Sequence, residues 1–238
     1  METSEFKANI KKSKDILIIT PPNSTDDILS CAFALELHLK KLQKKVSLLQ
    51  KQKIPQRLSF LPEPKNIISS LSGLRDFVLL FDTKRNNIVD MRAEHKDDQY
   101  VVRITPEKGS IDPRDFSFMP ADFRHDLLIV LGSPSLESLG SIYQENTDLF
   151  FEVPKINIDN QSTNENYGQV NAVDMTASSI SEICANLILD EDQREINREL
   201  AQALLTGIIA ATESFQKPTT TPKAMVLAAK LMKFKADQ

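Results

Sequence analysis

Apolar positions along the chain fall into two textures. Short continuous runs, DILIIT (15–20), KKVSLLQ (44–50), DLLIVLG (126–132) and KINID (155–159), are bounded by polar residues. Such runs predict strands buried on both faces, as in a parallel sheet. Between the first two, Ile28, Leu29, Ala32, Leu35, Leu39 and Leu42 recur at helical spacing, which predicts a helix over 26–42. Strand, helix and strand in this order are the signature of a parallel pair. Ser24 with Asp27 three residues on fits a capping box at the start of that helix. From Ser178 onward the pattern is helical, in SSISEICANLIL, REINRELAQALLTGIIAATESF and PKAMVLAAKLMKF. Ser178 or Ser179 is placed to cap the first of these helices. Gly168 is read as a turn position with positive φ, and Gly207, inside a helix, as a point of close packing.

A second texture interrupts this alternation. FVLLFDT (77–83), IVDMRAEH (88–95) and YVVRIT (100–105) are separated by short polar turns, which predicts an antiparallel meander. The expected class is therefore α/β, a mainly parallel sheet flanked by helices, with an antiparallel β insertion near 76–106. Residues 1–238 are read as a single domain carrying that insertion.

Composition changes this picture little. Hydrophobic residues make up 41% and charged residues 26%, ordinary values for a globular chain. A net charge of −4 argues against general nucleic-acid binding, though it leaves room for a local basic groove. Cys31 and Cys184 lie in apolar helical patterns and read as buried reduced thiols, while His38, His95 and His125 read as solvated. The polar start, METSEFKANIKKSKD, is no signal peptide, and no apolar run approaches the roughly 20 residues of a membrane helix. A cytoplasmic protein without membrane contact is expected. The chain stops at KFKADQ directly after an amphipathic helix, which raises the expectation that the natural protein continues.

Four segments, in order over residues 16–222, carry a resemblance. They are ILIITPPNSTDDILSCAFAL, DLLIVLGSPSLESLG, INIDNQSTNENYGQVNAVDMTASSISEI and LLTGIIAATESFQKPTTTP. Together they resemble the four motifs of the DHH phosphoesterase superfamily, in its oligoribonuclease and phosphoadenosine-phosphate phosphatase branch. The resemblance implies the N-terminal domain of that family, without the second domain that supplies much of the substrate contact. The stretch 76–106 is outside the common pattern.

Scaffold positions match the family, and chemical positions depart from it. The resemblance implies metal ligands at six places. The first-motif His falls on Pro21, the first Asp on Thr25, and the second Asp on Asp27, which is kept. The second-motif Asp falls on Gly132 and the fourth-motif Asp on Ala211. The Asp-His-His element, which supplies one His to the metals, becomes Asp159, Asn160 and Gln161. A metal pair needs about six ligands per ion and several carboxylates to offset its charge. Pro21, Gly132 and Ala211 offer no ligating side chain, and Thr25, Asn160 and Gln161 offer only neutral ones.

Three readings follow. The first is a catalytically silent DHH-like module with no cofactor, binding a nucleotide or short oligonucleotide through an open polar cleft lined by Asn23, Asn160 and Gln161. The second is an active Mn- or Mg-dependent phosphoesterase whose site is rebuilt from Asp27, Asp159 and Asp82, helped by Asp26 or a further domain. It requires at least four acidic or imidazole groups converging within metal reach. The third is a structural protein whose pocket is filled by side chains. Its protein partner would be sought at the exposed strand edges of the 76–106 insertion. Asp27 and Asp159 also have sufficient structural reasons to exist, at a helix start and in a loop that an Asx side chain opens.

Overall fold

The computed structural model describes residues 2–71, 73, 75–189 and 196–236. In chain order these form α1 (Glu2–Lys12), β1 (Asp15–Ile19), α2 (Asp26–Lys41), β2 (Lys45–Leu49), β3 (Ile67–Ile68) and β4 (Arg75–Phe81). They continue as β5 (Ile88–Lys96), β6 (Gln99–Pro106), β7 (Phe116–Phe123), β8 (Leu127–Leu131), α3 (Ser141–Gln144) and α4 (Thr147–Glu152). The last are β9 (Lys155–Asp159), β10 (Val170–Val173), α5 (Ile180–Leu189), α6 (Arg198–Thr212) and α7 (Pro222–Met232). The chain divides into two compact units, residues 1–72 with 124–238, and residues 73–123.

The first unit is built on a six-stranded sheet in the order β10-β9-β8-β1-β2-β3, with every pair parallel. Strands β1, β8 and β9 lie at its centre, and their runs of Ile, Leu and Val are fully buried. Parallel strands covered on both faces have no solvent side to mark, so their sequence is continuously apolar. Helices α2, α5 and α6 pack together, and α7 packs on α6. The chain leaves β1 in one direction toward β2 and later enters β8 on its other side. The C-terminal ends of β1 and β8 therefore flank a topological switch point, where open α/β sheets place their ligand crevices. No helix among the described residues is long and apolar enough to cross a membrane.

The second unit holds two antiparallel pairs, β4 with β7 and β5 with β6. This corrects the expected three-strand meander. β4 pairs with β7 rather than β5, and the unit runs to Phe123, well past 106. Strand β7 was masked by Pro120, which removes a ladder donor and fits only an unpaired edge or a bulge.

Other expectations also shift. α1 went unread because its buried face is only Phe6 and Ile10 in a charged segment. The two-residue β3 and the half-polar VNAV of β10 were likewise too short to register. The N-cap of α2 is Thr25, whose side chain accepts from the Ile28 amide, rather than Ser24, whose hydroxyl donates to the Pro21 carbonyl. His38 is fully buried on α2, and His125 is also buried, its Nδ1 2.7 Å from Asp15 Oδ1; neither is the surface residue expected. Cys31 and Cys184 are both buried and free.

Candidate functional site

The site begins at the first turn of α2, above the switch point. Asp27 is 6% exposed, and its carboxylate is fully engaged. Oδ2 accepts the Ile180 amide at 2.8 Å and Oδ1 the Ser181 amide at 3.0 Å. These are among the first amides of α5, which have no acceptor within their own helix. Asp27 therefore caps a neighbouring helix as well as standing in the first turn of its own. Ser179 completes the start of α5 by accepting from the Glu182 amide at 2.9 Å. Burial pushes the Asp27 carboxyl up to about 6, the bonds from Ser181 and Ile180 pull against that rise, and the Glu182 charge adds to it.

Gly207 on α6 closes the other side of this junction. A Cβ there would lie 1.9 Å from Ser181 Oγ and 2.9 Å from Asp27 Oδ1. Only glycine lets α6 approach the α2–α5 contact this closely. Gly132, just beyond β8, has φ of +60° and donates its amide to Ile158 O at 2.9 Å. A Cβ at Gly132 would meet Ile28 Cδ1 at 2.6 Å and Ile180 Cδ1 at 2.8 Å, so apolar side chains fill the space beside this strand end.

Asp159, at the end of β9, is fully buried and serves its own loop. Its Oδ1 accepts the Asn160 amide at 2.8 Å and the Gln161 amide at 3.3 Å, and its Oδ2 accepts Asn164 Nδ2 at 2.7 Å. Asn164 also exchanges bonds with Asn157, which reaches Asn171 Oδ1 at 3.0 Å. The result is a network of amides around one carboxylate, tying the loop to β9 and β10 and to the turn after β8. Its charge and burial together push the Tyr167 hydroxyl upward, burial being the larger cause, while that hydroxyl donates to Ser133 O at 3.0 Å. Gly168 does not have positive φ. It is glycine because a Cβ would stand 2.6 Å from Val170 O and 3.0 Å from Lys155 O, which corrects the turn reading.

An open cleft of about 560 Å³ lies next to these residues. Four positions of the motif pattern line it, Thr25, Asp27, Asn160 and Ala211, together with Asp26. Among the described residues, Pro21, Asn23, Gly132, Asp159 and Gln161 are not on its wall. Asn23 is turned to Gln52, whose Nε2 donates to its Oδ1 at 3.1 Å. Gln161 reaches back to Gly132 O at 3.4 Å. Asp82 belongs to the second unit, where it holds a turn by accepting the Lys84 amide at 2.9 Å; that bond lowers its carboxyl from the ordinary value.

The cleft also brings in residues other than the implied ligand positions, of which Arg57 lies outside all four motif segments. Arg57, from the loop after β2, forks onto Asp26, with Nη2 2.8 Å from Oδ1 and Nε on Oδ2. Lys217, on the chain that follows α6, lies 3.5 Å from Glu213 Oε1 and lines the same wall. Ser178 and Thr219 join them, latched by the Ser178 hydroxyl donating to Thr219 O at 3.0 Å. No local sequence signal marked Arg57, whereas Thr219 stood in the Thr-rich stretch already singled out. Among the described residues, no three His, Cys, Asp or Glu side chains converge to hold a metal ion.

No model of a protein family matches the chain. It is 35% identical over 82 residues to the probable bifunctional oligoribonuclease and PAP phosphatase NrnA of Streptococcus mutans, a match covering 34% of this chain and 26% of that one. It is also 35% identical over 77 residues to the bifunctional oligoribonuclease and PAP phosphatase NrnA of Thermus thermophilus, covering 32% and 24%. These matches support the resemblance to the DHH phosphoesterase superfamily. Its fold agrees with two solved structures. An exopolyphosphatase-related protein of Bacteroides fragilis superimposes with a TM-score of 0.71 at 15% identity, covering 99% of this chain and 57% of that one. A putative family II inorganic pyrophosphatase of Methanococcus jannaschii gives 0.53 at 16%, covering 92% and 56%. The chain spans little more than half of these solved chains. Its matched stretch is about a quarter of each curated relative.

Proposed function

We propose that this DHH domain binds a nucleotide or the end of a short oligonucleotide without metal and does not hydrolyse it. One observation carries the reading. Both oxygens of Asp27, the one acid kept at the six ligand positions, are spent on the amides of Ile180 and Ser181. A divalent ion would have to displace those bonds and would gain a single carboxylate. Pro21, Gly132 and Ala211 bring no donor atom, and Ile28 and Ile180 occupy the space beside Gly132. The residues present do not fit a metal pair.

What remains suits binding. Arg57 and Lys217 supply positive charge at an open cleft, and Thr25, Ser178 and Asn160 supply hydroxyls and an amide. A guanidinium fork suits a phosphate group, and amides read ribose and base edges. Asp26 holds Arg57 in place until a phosphate competes for it.

The test is titration of fluorescent phosphoadenosine phosphate into the protein, with EDTA and then with Mn²⁺. Equal affinity in both buffers is expected, with a loss of about tenfold in Arg57→Ala and in Lys217→Ala. Binding that needs Mn²⁺, or that ignores both substitutions, would overturn the proposal.

A further inference from the structure

The hairpin β5–β6 stands in the second unit with residues of both strands exposed. A lone two-stranded hairpin is only marginally stable in water, and an open edge is a template for another strand. Along β5, Asp90, Arg92, Glu94 and Lys96 occupy one face with alternating sign. Val89, Met91, Ala93 and His95 occupy the other. Charges on an edge guard it against indiscriminate pairing, and alternating signs refuse some registers while admitting others.

We propose that β5 pairs with β5 of a second copy of this chain, antiparallel about a two-fold axis at Ala93. In such a self-pairing the two facing residue numbers have a fixed sum, and facing side chains share a face. With Ala93 on the axis, Arg92 faces Glu94, Asp90 faces Lys96 and Met91 faces His95, each pair occurring twice. Four opposite-charge pairs result. Registers centred on residue 92 or 94 set like charges opposite each other. One centred on Met91 joins only Asp90 with Arg92.

The hairpin itself has a charge that this register relieves. Arg92 faces Arg103 across the β5–β6 ladder, and like charges in that relation are destabilising. Arg103 Nε is bonded to Glu94 at 3.0 Å, and Arg92 Nε to Asp90 at 2.6 Å, with the Arg92 side chain still 80% exposed. Glu94 of a second copy would take the free side of Arg92. The isologous product is a four-stranded antiparallel sheet whose apolar row continues from Met91 of one copy to His95 of the other. The other strands of this unit lack an equivalent code. Pro120 interrupts β7, β6 has Arg103 as its one charge, and the charges of β4 are the adjacent Arg75 and Asp76.

Sedimentation equilibrium of the full chain tests this. A dimer is expected at about 50 μM, weakened at least tenfold by Arg92→Glu and restored by the double exchange R92E/E94R. The double variant also controls for folding, since it keeps the same side chains on the hairpin. A monomer at that concentration overturns the proposal. So does a dimer indifferent to R92E, or a double variant as weak as the single one.

Discussion

Asp27 shows how one side chain can hold a family position while serving the fold. Its carboxyl is raised to about 6 by burial, from 3.8 in the unfolded chain. Between those values the folded protein keeps a proton that the unfolded chain releases. Stability from this group is therefore present below about pH 4 and is lost as pH rises through about 6, on the order of 3 kcal/mol in all. Asp27→Asn cannot ionise and keeps one acceptor, so urea denaturation across that window should show a flatter slope than the parent protein; an unchanged slope would assign the pH dependence elsewhere. The residue pattern alone placed Asp27 at a helix start, and it does lie in the first turn of α2. Its bonds to α5, 153 and 154 residues away in sequence, could not be read locally. Asp159 was more legible, because its amide partners at 160 and 161 are its neighbours in the chain.

Among the elements, the central strands and long helices were plain in the sequence because burial on both strand faces, or along one helix face, leaves a periodic record. The insertion was less so. Its strands pair across a long separation, 75–81 with 116–123, and nothing in either segment names its partner. Gly207 was marked by its cost within a helix, and the structure supplies the reason in Ser181 and Asp27. Gly207→Ala gains about 1 kcal/mol in helix propensity yet forces α6 away from α5. A net loss of about 1–3 kcal/mol is expected from overpacking, read as a lower urea midpoint. A stabilised variant would mean that α6 has room to spare.

At the scale of the whole molecule, a DHH-like α/β scaffold carries a cleft lined by two cations, hydroxyls, one amide and the Asp26 carboxylate, with the buried acid Asp27 on its wall already in use. Part of that cleft was foreshadowed by the motif positions at Thr25, Asp27, Asn160 and Ala211. Arg57 was not, because a loop outside every motif segment delivers it, and Lys217, though inside the fourth segment, is no ligand position. Asn23 and Gln161 were expected at the cleft but bond to Gln52 and to the backbone instead. The central question is whether the chemistry of this cleft ends at binding. The most direct measurement is hydrolysis of phosphoadenosine phosphate and a short RNA with Mn²⁺ present, comparing the protein with its Asp27→Ala variant at a temperature where both are folded. No turnover above the metal-only blank is expected for either protein. Turnover in the parent that disappears in Asp27→Ala would contradict this expectation and make Asp27 a working metal ligand.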